Sequence, residues 1–166
     1  MRRIARQKGN VFMNHATASR RLPAEELPVG EKLHLGSHTV TEEEIIGFAQ
    51  QWDPQYFHID AEAAKSSEFG QLIASGVHTM AIFQRLSVEN FFSRYDIIAG
   101  RDISQLRFER PVFAGTVLHG TATIDSVKPV GPGRAIFSST GVLVDNDGRP
   151  ALSVVVDALI RSRSPQ

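Results

Sequence analysis

Asp53 and His58 are separated by four residues in the stretch "QQWDPQYFHIDAEAAKSSEFGQLIASGVHTM", which runs from Gln50 to Met80. A carboxylate and an imidazole this close suit general acid–base chemistry, in which one group takes a proton from water and the pair returns one. Both residues also have an ordinary structural reading: Asp53 as a turn residue before Pro54, His58 as a polar residue leading into a helix. The Ala74-Ser75-Gly76 segment downstream is small, and glycine there lets backbone approach a ligand closely. Ser75 reads equally as a helix cap, and Gly76 as a residue that serves only close packing.

The elements around these residues follow from capping signals and periodicity. In "TEEEIIGFAQQW", Thr41 and Glu44 fit a capping box, and the acids of the first turn suit the helix dipole. Ile45, Phe48 and Trp52 share one face of that helix. Pro54 biases Asp53 away from helical geometry and ends it. "DAEAAKSS" predicts a short helix capped by Asp60. From Ser75 a long helix is expected to about Phe92; Val77, Met80, Phe83 or Gln84, and Ser87 follow its period, and the apolar members with Ala81, Ile82 and Leu86 make a broad face suited to burial. Ahead of all this, residues 22–30 read as a linker, with two prolines and a glycine, and "EKLHLGSHTV" as a first strand. After Gly100 the texture changes to β-branched and alternating runs: "DISQLRFERPV", "GTVLHGTATIDSV", "RAIFSSTGVLVDN" and "PALSVVVDALIRS". "GPG" and "NDG" between them are turn signals. Helices first and strands together afterwards predict an α+β domain, its antiparallel sheet covered by the long helix.

With 166 residues the chain suits one domain. It has no cysteine, which excludes disulfides, thiolate chemistry and Cys-based metal sites. No apolar run approaches the ~20 residues needed to cross a bilayer, and no secretory block opens the chain, so no membrane role and a cytoplasmic location are expected. Residues 1–24 hold six basic residues and no acid, leaving 12 basic against 18 acidic in the remainder. The expected division is therefore a basic N-terminal extension over 1–24 and a single domain over 25–166. An acidic body disfavours nucleic acid as partner. The histidines form no HExxH arrangement, and His34 and His38, though spaced HxxxH, fall on or beside the expected first strand with no obvious partners, so no metal is expected.

"DPQYFH", "FGQLIASGVHTM" and "RFERPVFAGT", in this order, resemble the MaoC-like dehydratases and (R)-specific enoyl-CoA hydratases, over roughly residues 25–162. The resemblance implies the hot-dog fold, an antiparallel sheet wrapped around a long central helix. It implies reversible hydration of a 2-enoyl thioester, with Asp53 and His58 catalytic and Ser75 and Gly76 binding substrate. It implies an acyl-CoA or acyl-carrier-protein thioester as substrate, no further cofactor, and a homodimer or multiple of dimers. The family often has Asn-Pro between the Asp and His; here Gln55 and Tyr56 stand in those positions and the proline is Pro54. Two alternatives share the fold: an acyl-CoA thioesterase, for which the long helix offers only Glu89 as an acid, and a non-catalytic acyl-thioester-binding subunit.

Overall fold

The computed structural model describes residues 21–163. The basic extension expected over 1–24 lies outside the described residues except for its last four. Strand β1 (Lys32–Thr39) is followed by four helices, α1 (Glu42–Trp52), α2 (Tyr56–Ile59), α3 (Ala61–Ala64) and α4 (Gly76–Asn90). Strands β2 (Ile97–Phe108), β3 (Val117–Gly131), β4 (Arg134–Val144) and β5 (Pro150–Arg161) complete the chain. The five strands form one antiparallel sheet in the order β1-β3-β4-β5-β2. The α+β class and the sheet wrapped on a long helix are as expected.

Helix α4 packs over β1, β3 and β4. It comes close because the sheet offers glycines beneath it. A Cβ built on Gly141 would lie 2.0 Å from the Phe83 ring, and one on Gly120 3.1 Å from the Leu35 side chain. Phe83, Leu86, Leu35, Leu143 and Phe137 then share one core. The buried face of α4 falls within the broad face that periodicity suggested, except at Val77. Thr79, Ile82, Phe83 and Leu86 are buried, whereas Val77 is 58% exposed. Thr79 and Ser87 can enter the core because each hydroxyl donates to the carbonyl four residues back, at 3.2 and 2.8 Å.

Three other expectations change. Trp52 ends α1 on the expected face but is 66% exposed, past the point where α1 touches the body. Residues 22–30 are not a free linker: Ala24 opens a 3-10 turn and is buried with Leu27, and Leu22 exchanges backbone hydrogen bonds with Arg94 and Asp96 at 2.9 Å. Strand β2 begins at Ile97, before Gly100, and pairs only with β5. It is an edge strand, its register broken at Ile97/Ala99, Gly100/Asp102 and Ser104/Arg107, with Gln105 at φ 50°.

Candidate active site

Asp53 and His58 sit on a reversal that local chemistry builds. The Thr41–Glu44 capping box starts α1, and the chain leaves helical geometry at Asp53, where Pro54 follows. One turn, α2, then returns His58 toward Asp53; sequence reading missed this helix because four residues carry too little periodicity. Asp60, accepting from the N–H groups of Glu62 and Ala63, caps α3 as expected. The connector to α4 is stitched down on both sides, Ile73 N–H donating to the Phe57 carbonyl and Ala74 N–H to the Val112 carbonyl.

The structure brings all four expected residues together. The Ser75 hydroxyl donates to Asp53 Oδ2 at 2.6 Å and accepts from Val77 N–H at 3.2 Å, so one oxygen both caps α4 and holds the carboxylate. Gln55 Nε2 donates to Asp53 Oδ1 at 2.9 Å. These two hydrogen bonds, Ser75 first and Gln55 second, hold the Asp53 carboxyl below its ordinary range against the opposing effect of burial. His58 is buried, with Nδ1 2.7 Å from the Ile73 carbonyl. A carbonyl only accepts, so Nδ1 carries the hydrogen and donates it. In the neutral ring Nε2 is then a lone pair, and it lies 3.5 Å from Asp53 Oδ2. Two acceptors thus face one another across a gap too wide for a direct hydrogen bond, an arrangement that a water donating both hydrogens satisfies.

His58 and Gly76 line one cleft of about 390 Å³ with Phe57, Phe69, Phe108 and Arg110. Asp53 and Ser75 are not in its lining; Asp53 approaches the cleft only at His58, 3.5 Å away. Gly76 is the first residue of α4, so its N–H has no acceptor within the helix and lies at the positive end of the dipole. A Cβ there would be 2.8 Å from the Phe108 ring, so only glycine fits without displacing it.

Phe57, Phe108 and the Ile73 carbonyl were not foreseen. Phe57 packs edge-on against His58 with ring centroids 4.5 Å apart, and a pair of adjacent aromatic rings was its one sequence signal. A backbone carbonyl leaves no signal at all. Arg85 is paired with Glu89 at 2.9 Å. Arg94 stacks over Phe91. Arg110 donates to the Pro150 carbonyl at 2.8 Å and pairs with Asp145. His78 is packed away from this site. Its ring stacks on Phe48 at 4.6 Å, its Nδ1 has no hydrogen-bond partner among the described residues, and burial lowers its pKa.

Among the described residues no helix is long and apolar enough to cross a membrane. The chain is 38% identical over 89 residues to an uncharacterized Bacillus subtilis protein, YdeM, an alignment spanning 54% of this chain and 63% of that one. It is 30% identical over 126 residues to 3-hydroxyacyl-thioester dehydratase Z of Mycobacterium tuberculosis, covering 74% of this chain and 82% of that one. The crystal structure of a MaoC-like dehydratase from Rhodospirillum rubrum superposes with a TM-score of 0.79 at 33% identity, over 87% of this chain and 99% of that one. The model of the MaoC-like domain matches residues 25–146, which include Asp53, His58, Ser75 and Gly76, and the chain belongs to that family.

Proposed function

We propose that this protein catalyses the reversible hydration of a 2-enoyl thioester to a 3-hydroxyacyl thioester. The observation that carries the reading is the facing pair of acceptors, His58 Nε2 and Asp53 Oδ2, 3.5 Å apart with the imidazole tautomer held by Ile73. A water donating one hydrogen to each presents its oxygen lone pair to the β-carbon of the alkene. As the C–O bond forms, one proton passes to the pair, and the pair delivers a proton to the α-carbon. The product carries OH on the β-carbon and H on the α-carbon, and no electrons leave the substrate. General acid–base help of this kind contributes roughly 10²–10⁴-fold in rate.

The thioester carbonyl becomes enolate-like as the α-carbon gains charge. The Gly76 N–H at the start of α4 is the donor placed to receive that oxygen, and such a donor is worth about 10²–10³ in kcat. The reaction is redox-neutral, and CoA or a carrier protein enters as part of the substrate. The relatedness to a 3-hydroxyacyl-thioester dehydratase supports this reaction class. The thioesterase alternative finds less support. Glu89 is exposed, engaged by Arg85, and 13 residues along α4 from Gly76, roughly 20 Å at helical rise. The assembly we propose is a homodimer joined along β2, whose outer edge carries exposed Ile98, Ile103 and Leu106.

The test follows the absorbance of the conjugated enoyl thioester with crotonyl-CoA, with free thiol measured alongside, for wild type, Asp53→Asn and His58→Ala. Loss of absorbance without thiol release, abolished in both folded variants, is the expected result. Thiol release would make the protein a thioesterase. No turnover of crotonyl-CoA or longer enoyl-CoAs would favour a binding subunit.

A further inference from the structure

Helix α1 delivers Asp53 to the site and α4 delivers Ser75 and Gly76, so the site depends on how these two helices are held together. At the site itself the link is the Ser75–Asp53 hydrogen bond of 2.6 Å. One turn further along α4 it is a pair of rings: His78 lies on Phe48 of α1, with centroids 4.6 Å apart and planes 10° from parallel. The end of α1 has little further anchorage. Ile45 and Ala49 are its buried residues, and Gln50, Gln51 and Trp52 after them are exposed.

His78 is a costly residue for such a place. It is 5% exposed, and its Nδ1 is buried with no hydrogen-bond partner among the described residues. A buried polar atom without a partner carries a penalty that an apolar ring of similar shape avoids. Stacking alone therefore gives no reason for an imidazole. What an imidazole adds is a proton that comes and goes near neutral pH.

The surroundings offer the charged ring a destination. His78 and Phe48 line an open groove of about 560 Å³ together with Glu43, Glu44, Gln51 and Trp52. Burial disfavours charge on His78; Glu44 of α1 opposes that effect and His38 of β1 adds to it. Glu44 is itself bonded to His38 at 2.9 Å. Glu43 is the other charged residue of the groove, and among the described residues no lysine or arginine lines it. A neutral ring thus belongs in the stack, whereas a charged one loses by staying buried and gains by turning to the two carboxylates.

We propose that His78 is a positioning residue worked by protons. Neutral, it holds the Asp53 end of α1 on α4. Protonated, it leaves Phe48 for Glu43 and Glu44, the end of α1 loosens, and Asp53 loses its alignment with His58. Acid thereby switches the site off through a group outside the Asp53–His58 pair. That the site so switched hydrates an enoyl thioester rests on the reading above.

Trp52 is the single tryptophan of the chain and lines the same groove, so its fluorescence reports the movement. Fluorescence is followed from about pH 8 to about pH 5, with far-UV circular dichroism alongside and kcat/KM for crotonyl-CoA at each pH. Each rate is read relative to the same protein's rate at about pH 7.5. Wild type is expected to show a fluorescence transition below about pH 6.5, since burial lowers the pKa of His78, and to keep its helical signal through it. One pH unit below the midpoint about a tenth of the rings remain neutral, so the relative rate of wild type should lie about tenfold below that of His78→Phe, which keeps the stack and takes no proton. Phe48→Leu weakens the stack and should move the midpoint to higher pH. His38→Gln should keep the transition. A transition that survives in His78→Phe or disappears in His38→Gln overturns the proposal, as does an unmoved midpoint in Phe48→Leu. So do matching rate profiles for wild type and His78→Phe, or helical signal lost in step with the fluorescence. Should His78→Phe fail to fold, the other two variants decide. If the fluorescence behaves as expected while no enoyl-CoA is turned over at any pH, the reaction reading falls and the proton-worked contact stands.

Discussion

Ser75→Ala separates two tasks carried by one oxygen. Removing the hydroxyl deletes the cap of α4, at a cost of about 1 kcal/mol. It also deletes a 2.6 Å hydrogen bond to the Asp53 carboxylate. A bond to a charged partner is worth about 1.5–3 kcal/mol, and the low end applies because Asp53 is 25% exposed and water can replace part of it. The expected loss at neutral pH is about 2–3 kcal/mol, a fall in Tm of roughly 5–10 °C for a domain of this size. The two parts differ in pH dependence. A carboxylate whose folded pKa is depressed contributes stability above its unfolded value and loses it as pH falls through the folded value. Ser75 is the largest cause of that depression in Asp53. The gap between wild type and Ser75→Ala, read by urea unfolding across a pH series, should therefore narrow below about pH 4, leaving the cap alone. A double-mutant cycle with Asp53→Ala should give a coupling of at least about 0.5 kcal/mol. In catalysis, the acid limb of kcat/KM should move to higher pH in Ser75→Ala. A gap constant with pH together with an additive cycle would refute the reasoning and reduce Ser75 to a helix cap.

Gly141→Ala places a methyl 2.0 Å from the buried Phe83 ring, so helix and sheet must separate or the ring must turn; the expected cost is about 3 kcal/mol. The urea midpoint checks it, and adding Phe83→Leu should recover part of the loss; an unchanged midpoint for the single variant would contradict the packing. His78→Phe keeps the stack on Phe48 and removes a nitrogen left without a partner among the described residues. Burial depresses the pKa of His78, with Glu44 opposing and His38 adding, so below about pH 6.5 the unfolded chain takes a proton that the folded chain refuses. Wild type should lose stability as pH falls from about 7, and the variant should show a shallower slope between pH 7.5 and 5.5 in urea unfolding; equal slopes would exclude His78 as the source.

What was legible in the sequence was what short-range hydrogen bonding decides. Thr41 with Glu44, Asp60 and Ser75 each bond backbone within three residues, so type and spacing announced them, and the observed caps fall at those positions. The pairing of Asp53 with His58 was legible from motif context, and the geometry places them 3.5 Å apart. The buried face of α4 was legible in part: Ile82, Phe83, Leu86 and Ser87 lie on the expected face, but Val77 is exposed, and Thr79 is buried because its hydroxyl is satisfied on the preceding turn. The cleft wall was legible only as the motif "RFERPVFAGT", and its place beside His58 was not. Phe108 and Arg110 reach the site from a strand that pairs with β5 some 40 residues later, where they meet Leu152 and the Pro150 carbonyl. Such contacts depend on the sheet's register and leave no trace in local spacing.

The three breaks in the register of β2 bear on what this protein can stick to. An edge strand with a regular ladder of free N–H and C=O groups accepts almost any extended peptide. The outer edge of β2 presents its groups in short interrupted runs, with Gln105 turned to positive φ, while still exposing apolar side chains. A passing extended segment finds no long stretch in step with it, so strand addition of the kind that seeds fibres is poorly supported. A partner must instead match the interruptions, and a strand carrying the same interruptions in the reverse direction does so by construction. The irregular edge thus acts as a filter on association, excluding generic β-structure while leaving room for a cognate surface.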